Sequence, residues 1–139
     1  MRSTGVHHVD LVVSSIQRSL PFYRELLGPL GWHGVHEVEG ERGETIHYLF
    51  GPGSGIGLRE ALSPSEAPVD RYRVGLHHLA LEASSRSVVN ERAEWLRSQG
   101  AEIESGPSEY WYSPGYYAVF FFDPDGLKLE IVHVPGRAA

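Results

Sequence analysis

The nine residues His7-His8-Val9-Asp10-Leu11-Val12-Val13-Ser14-Ser15 return as His77-His78-Leu79-Ala80-Leu81-Glu82-Ala83-Ser84-Ser85, always 70 residues further on. Two copies of one supersecondary unit in a chain this short call for a two-lobed fold that brings equivalent strands together. Each copy opens on a paired histidine at the head of an apolar alternation. A metal has a natural place where such strands meet.

The copies share a plan. Val9, Leu11 and Val13 alternate with His8, Asp10 and Val12, the period of a strand with one apolar face. Ile16, Leu20, Tyr23 and Leu27 then follow at spacings of four, three and four, which is one face of a helix over 15–27 closed by Gly28-Pro29. Pro21 lies inside that segment, so a late start or a bend is expected there. In the second copy Leu79 and Leu81 alternate with His78 and Ala80, and Val88, Ala93, Trp95 and Leu96 mark a helix from about Ser87 to Gly100. Short apolar runs follow at 45–50 and 55–62, and again at 116–122 and 127–134. The expectation is one α+β domain over 1–139, made of two βαβββ modules at 6–62 and 75–134 joined by a proline- and charge-rich linker at 63–74. Together they would form a cupped mixed sheet around a metal site.

Composition narrows the function classes. With no cysteine, disulfides, thiolate zinc sites and cysteine nucleophiles are excluded, and histidine and carboxylate are left as metal ligands. The net charge of −6, without a lysine or arginine cluster, argues against nucleic acid as a partner. No apolar run approaches the roughly 20 residues of a membrane helix, and no secretion signal is visible. The reading is a cytoplasmic protein with a small-molecule substrate, no nucleic acid and no membrane.

Strand parity selects among the histidines. His7 and His77 fall on the apolar faces, whereas His8 and His78 point the other way. In the last strand Leu127, Leu129 and Ile131 are apolar, so Glu130 shares the face of His8 and His78. Two imidazoles and a carboxylate make a three-ligand site with open positions, suited to a divalent ion such as Fe, Mn, Co, Ni or Zn. Satisfied core or surface histidines are the alternative.

The motifs His8-Val9-Asp10-Leu11, Ser19-Leu20-Pro21-Phe22-Tyr23 with Leu27-Gly28, Gly75-Leu76-His77-His78-Leu79-Ala80-Leu81 and Asp123-Pro124-Asp125-Gly126-Leu127-Lys128-Leu129-Glu130 make the chain resemble the vicinal oxygen chelate superfamily. That superfamily includes glyoxalase I, bleomycin and fosfomycin resistance proteins, extradiol dioxygenases and methylmalonyl-CoA epimerase. The resemblance implies the glyoxalase/dioxygenase-like fold, with His8, His78 and Glu130 on the family's metal positions. It implies a homodimer in which His8 faces His78 and Glu130 of a second copy. Laying 56–60 over 127–131 sets Arg59 opposite Glu130, where relatives carry a fourth ligand. Arginine cannot ligate, and Glu60 would do so only through a one-residue slip, so water or substrate completes the shell.

Other candidates surround that core. Arg59 is a candidate for an anionic substrate group, with a surface ion pair as the alternative. Tyr110-Trp111-Tyr112-Ser113-Pro114-Gly115-Tyr116-Tyr117 packs five aromatic residues into eight. Trp111, Tyr112 and Tyr117 are its candidate substrate contacts, with Tyr112 also a candidate catalytic hydroxyl. His47, sharing a face with Thr45 and Leu49, is a candidate proton carrier beside the metal, or else a structural histidine. The expected function is a metal-dependent enzyme whose substrate chelates through two oxygens, with lyase, isomerase or ring-cleaving dioxygenase chemistry. The alternative is a metal-free protein that binds an antibiotic or natural product.

Overall fold

The second serine of each repeated Ser-Ser pair starts a helix. Ser15 Oγ accepts from the backbone N–H of Arg18 and Ser85 Oγ from that of Val88, each at 3.3 Å, satisfying an amide that the first turn leaves unpaired. The helices run over α1 (Ile16–Leu27) and α2 (Arg86–Ser98). Pro21 neither delays nor interrupts α1, contrary to the expectation. It falls within the first two turns, where only one intrahelical bond is forfeited.

The computed structural model describes residues 1–63 and 67–136. The chain divides into two compact units, 1–67 and 68–139. In the first, β1 (His8–Val13) precedes α1, and β2 (His33–Glu39), β3 (Thr45–Gly51) and β4 (Ser54–Glu60) follow it in the sheet order β1-β4-β3-β2. In the second, β5 (Leu79–Glu82), α2, β6 (Ile103–Glu109), β7 (Tyr117–Phe122) and β8 (Lys128–His133) give the order β5-β8-β7-β6. Each sheet is mixed: the first strand lies parallel to the last, and the other pairs are antiparallel. The α+β architecture of two four-stranded sheets and two helices is the one expected. Residues 64–66 of the expected linker lie outside the described residues.

The helices keep the repeat in register. Ser19, Tyr23 and Leu26 are buried in α1, and Val89, Ala93 and Leu96 are buried in α2, again 70 residues apart. Leu20 was expected in the buried stripe but is half-buried, because the stripe is centred on Tyr23 between Ser19 and Leu26. Beneath α1 lie Leu11, Val13, Leu49, Ile56 and Leu58, and the second unit buries Leu81, Val119, Phe121, Leu129 and Ile131. Each such side chain contributes about 1.5–3 kcal/mol relative to exposure. One face of each sheet is thereby committed to a helix. The other face carries the polar residues of β1, β5 and β8.

Past the helices the copies drift apart. Val9 pairs with Ile56 and Leu79 with Leu129, and Tyr48 and Phe120 are the cross-strand partners of Gly57 and Glu130. The offset therefore grows from 70 at Val9/Leu79 to 72 at Tyr48/Phe120 and 73 at Gly57/Glu130. The first-copy equivalent of Glu130 is Gly57, and the expected match with Arg59 is corrected. The length difference lies in the turns and hairpins, which set strand register.

Candidate metal centre

In the second unit β5 and β8 run side by side with Ala80 opposite Glu130. Glu130 and the residue two before Ala80, His78, therefore share the face turned away from α2. His78 Nε2 lies 3.1 Å from Glu130 Oε1. The other carboxylate oxygen accepts from the Tyr116 hydroxyl. Burial first, and then the bond to Glu130, raise Tyr116 above the usual phenol range, so it stays a donor. Glu130 is only 2% exposed. Its two oxygens thus have one imidazole and one phenol as their partners.

His78 Nδ1 is occupied by His77 Nδ1 at 2.7 Å, with the rings edge to face. Burial, followed by the charges of His78, Lys128 and Arg71, lowers His77 below its ordinary value and favours its neutral form. A divalent ion on His78 Nε2 would take the place of a proton there, and His78 Nδ1–H would then donate to a neutral His77. The same contact recurs in the first unit, where His7 Nδ1 and His8 Nδ1 are 2.8 Å apart. The doublet therefore orients one ligand-type histidine in each copy. Sequence parity separated the members of each pair, but the support that one lends the other appears only in three dimensions.

In the first unit His8, Asp10 and Val12 form the exposed face of β1. Gly57, opposite Asp10, has no space for a side chain, since a Cβ there would collide with the Tyr48 ring and the Asp10 carboxylate. No protein carboxylate stands at the position matching Glu130. Asp10 instead accepts from the Tyr48 hydroxyl at 3.1 Å and from Arg59 Nη2 at 2.6 Å. Arg59 Nη1 binds both oxygens of Glu41, at 3.0 and 3.2 Å. These two carboxylates hold Arg59 protonated and engage both of its terminal nitrogens, while its Nε is buried without a hydrogen-bond partner. The ion-pair alternative describes Arg59. Glu60 keeps its expected register opposite Val13, and its Oε1 accepts the Ile16 N–H at 3.3 Å.

Two other candidates face the helices. His47 pairs with Leu58 and shares the helix-facing side with buried Leu49, opposite the face that carries His8. A proton carrier beside His8 is not where the structure puts it. Tyr117 pairs with His133, its hydroxyl donates to Asn90 Oδ1 of α2 at 2.5 Å, and the Arg86 guanidinium lies 4.7 Å from its ring centroid. The neighbour that sequence reasoning passed over, Tyr116, is the one on Glu130. Alternation from Phe120, which faces Glu130, would have chosen it.

Tyr112 lies beside that group, its ring 5.1 Å from Tyr116 and stacked on Tyr110 at 6.0 Å. Tyr110 in turn meets Phe120 edge to face at 5.1 Å, and Phe120 is 6.2 Å from His78. Trp111 is 83% exposed. Aromatic residues thus border the His78–Glu130 pair, with Tyr112 nearer to it through Tyr116. Among the described residues, no group of three or more histidine, aspartate or glutamate side chains in the chain forms a metal cage. The donor set still fits a borderline divalent ion: an Nε2 with its other nitrogen engaged, facing a buried carboxylate oxygen. Among the described residues no helix is long and apolar enough to cross a membrane.

Known proteins share this architecture and about a quarter of its residues. A solved glyoxylase/bleomycin resistance protein/dioxygenase domain from Frankia sp. EAN1pec superposes with a TM-score of 0.80 at 27% identity, covering 95% of this chain and 98% of that one. Glyoxylase I 4 of Arabidopsis thaliana is 28% identical over 135 residues, 92% of this chain and 70% of that protein. Metallothiol transferase FosB of Staphylococcus saprophyticus is 25% identical over 127 residues, 91% of this chain and 75% of that protein. The family model described as Glyoxalase/Bleomycin resistance protein/Dioxygenase superfamily matches residues 5–131. With two four-stranded sheets of the same strand order and a match over nearly its whole length, the chain belongs to that superfamily.

Proposed function

We propose that this chain is a cytoplasmic, divalent-metal-dependent enzyme acting on a small organic substrate that presents two oxygens to the ion. The observation that carries the reading is the His78 Nε2–Glu130 Oε1 pair at 3.1 Å, with His77 on the far nitrogen and Tyr116 on the second oxygen. His78 and Glu130 are two ligands, and His8, with His7 on its own Nδ1, is the third. A second copy of the chain supplies His8. The relatives named as a glyoxylase and a metallothiol transferase support the class of enzyme.

A divalent ion bound there supplies Lewis-acid stabilisation of an oxyanion or enolate. The chain's own residues do the rest. Tyr116 holds the carboxylate in one orientation, His77 fixes the imidazole, and Phe120, Tyr110 and Tyr112 border the substrate, with the Tyr112 hydroxyl available to orient it. Lyase, isomerase and dioxygenase outcomes share this arrangement. The exposed Trp111 and Tyr112 favour a second reading, a metal-free binder of an aromatic natural product.

Metal analysis and calorimetric titration with Zn(II), Ni(II), Co(II) and Mn(II) separate the two. The enzyme reading expects stoichiometric binding, weakened at least about tenfold by His78→Ala and by Glu130→Gln. It also expects a dimer in sedimentation at micromolar concentration, with His8→Ala weakening metal binding. An apo protein that takes up none of these ions, or unchanged affinity in both variants, overturns it.

A further inference from the structure

The face that carries Glu130 also carries a second group of charges, with the opposite balance to that around Arg59. Lys128 stands two residues before Glu130 on β8, about 6.6 Å along the strand and on the same side. Its Nζ is 2.8 Å from Glu104 Oε1 and 4.7 Å from the ring centroid of Phe120, the residue that meets His78. Arg71 Nη2 lies 2.9 Å from the other oxygen, Glu104 Oε2, and the Arg71 guanidinium lies over the Tyr72 and Phe122 rings. Both oxygens of the one carboxylate are therefore taken.

Two cations share one anion here, while Arg59 alone faces two carboxylates, Asp10 and Glu41. Donors outnumber acceptors as well. An ammonium has three N–H bonds and a guanidinium five, and Arg71 Nε, like Arg59 Nε, is buried without a hydrogen-bond partner, so the contrast between the two groups is the number of carboxylates each one has. An orphaned buried donor is unfavourable until an acceptor arrives. The Lys128 side chain is 11% exposed, so its ammonium is held in place rather than swung in solvent.

We propose that Arg71 and Lys128, bridged by Glu104, form an oxyanion subsite beside the His78–Glu130 pair, and that the substrate carries a carboxylate or phosphoryl group. The substrate class rests on the metal-enzyme reading. The subsite itself does not, because none of Arg71, Lys128 and Glu104 is among the proposed metal ligands. The anion replaces part of the pairing now supplied by Glu104 and sits one strand repeat from Glu130, so the substrate has its charged group a few bonds from its chelating oxygens.

The test titrates the metal-free protein with inorganic phosphate and, separately, with acetate, at an ionic strength fixed with chloride. NMR signals of the Lys128 side chain and the Phe120 ring report binding. Saturable shifts are expected, with affinity reduced about tenfold in Lys128→Met and restored in Lys128→Arg. Glu104→Gln is expected to tighten binding several-fold, since it frees both donors. Saturation by phosphate alone assigns a phosphoryl group, and by acetate alone a carboxylate. No saturable shift with either anion overturns the proposal, and so does a Glu104→Gln variant that loses thermal stability without gaining anion affinity, the mark of a purely structural salt bridge. Failure of metal uptake in the calorimetric experiment leaves this measurement untouched, so the two readings fail separately.

Discussion

At Gly57 the sheet has filled the space where the other copy has a carboxylate. The Tyr48 ring and Asp10 occupy the room that a Cβ would need, and Asp10 is itself bound to Tyr48 and Arg59. Gly57→Ala is therefore expected to destabilise the protein by about 1–3 kcal/mol, as overpacking does, measured by urea denaturation. A stability unchanged within error would show that Tyr48 yields freely. Part of the site was legible at this scale: alternation along β1 separated His8 from His7, and the acidic residue four past Gly126 pointed to Glu130. The identity of Glu130's counterpart in the first copy was not, because a run such as Ile56-Gly57-Leu58-Arg59-Glu60 can be laid over its copy in several registers. Only cross-strand pairing removes that freedom.

Each helix joins its sheet through a cap, a buried stripe and an apolar strand face. The matched serines do equivalent work, so Ser15→Ala and Ser85→Ala are each expected to cost about 1 kcal/mol, with the double variant additive because the caps belong to separate units. Chemical denaturation of the three variants checks this, and a cost confined to one serine would break the equivalence. Both helices were readable from sequence, since more than three turns of each repeat the same apolar period. The edge strands were harder. β2 is exposed at nearly every position and β6 contains Pro107 and two register shifts, so neither alternates in the way that marks a strand. An edge strand tolerates proline because one side of it has no partner to bond. The face of β3 is legible in the sequence, since His47 shares it with Thr45 and Leu49, but that this face packs on α1 shows only in the fold, and Tyr117 likewise turns to α2.

For the molecule as a whole, carboxylates held low by cations set the response to acid. Lys128 is the main cause of the lowering at Glu104, and Arg92 is the main cause at Glu91, both from an ordinary value of 4.5. A carboxylate whose folded value is depressed contributes stability above its unfolded value and loses it as pH falls through the folded one. Stability is therefore expected to decline as pH drops below about 4.5, and Glu104→Gln should flatten the curve there. Thermal melts from pH 3 to 7 on both proteins test it; parallel curves would remove Glu104 from the account. The sequence by itself determined the duplication, the two βαβββ modules and the candidate ligands His8, His78 and Glu130, because periodicity and repetition are properties of the chain. Tertiary structure alone decided what each ligand touches: His77 on His78, Tyr116 on Glu130, Asp10 and Glu41 on Arg59, and Arg71 with Lys128 on Glu104. Those contacts join residues up to about fifty positions apart, and the turns that set their register leave no periodic trace in the sequence.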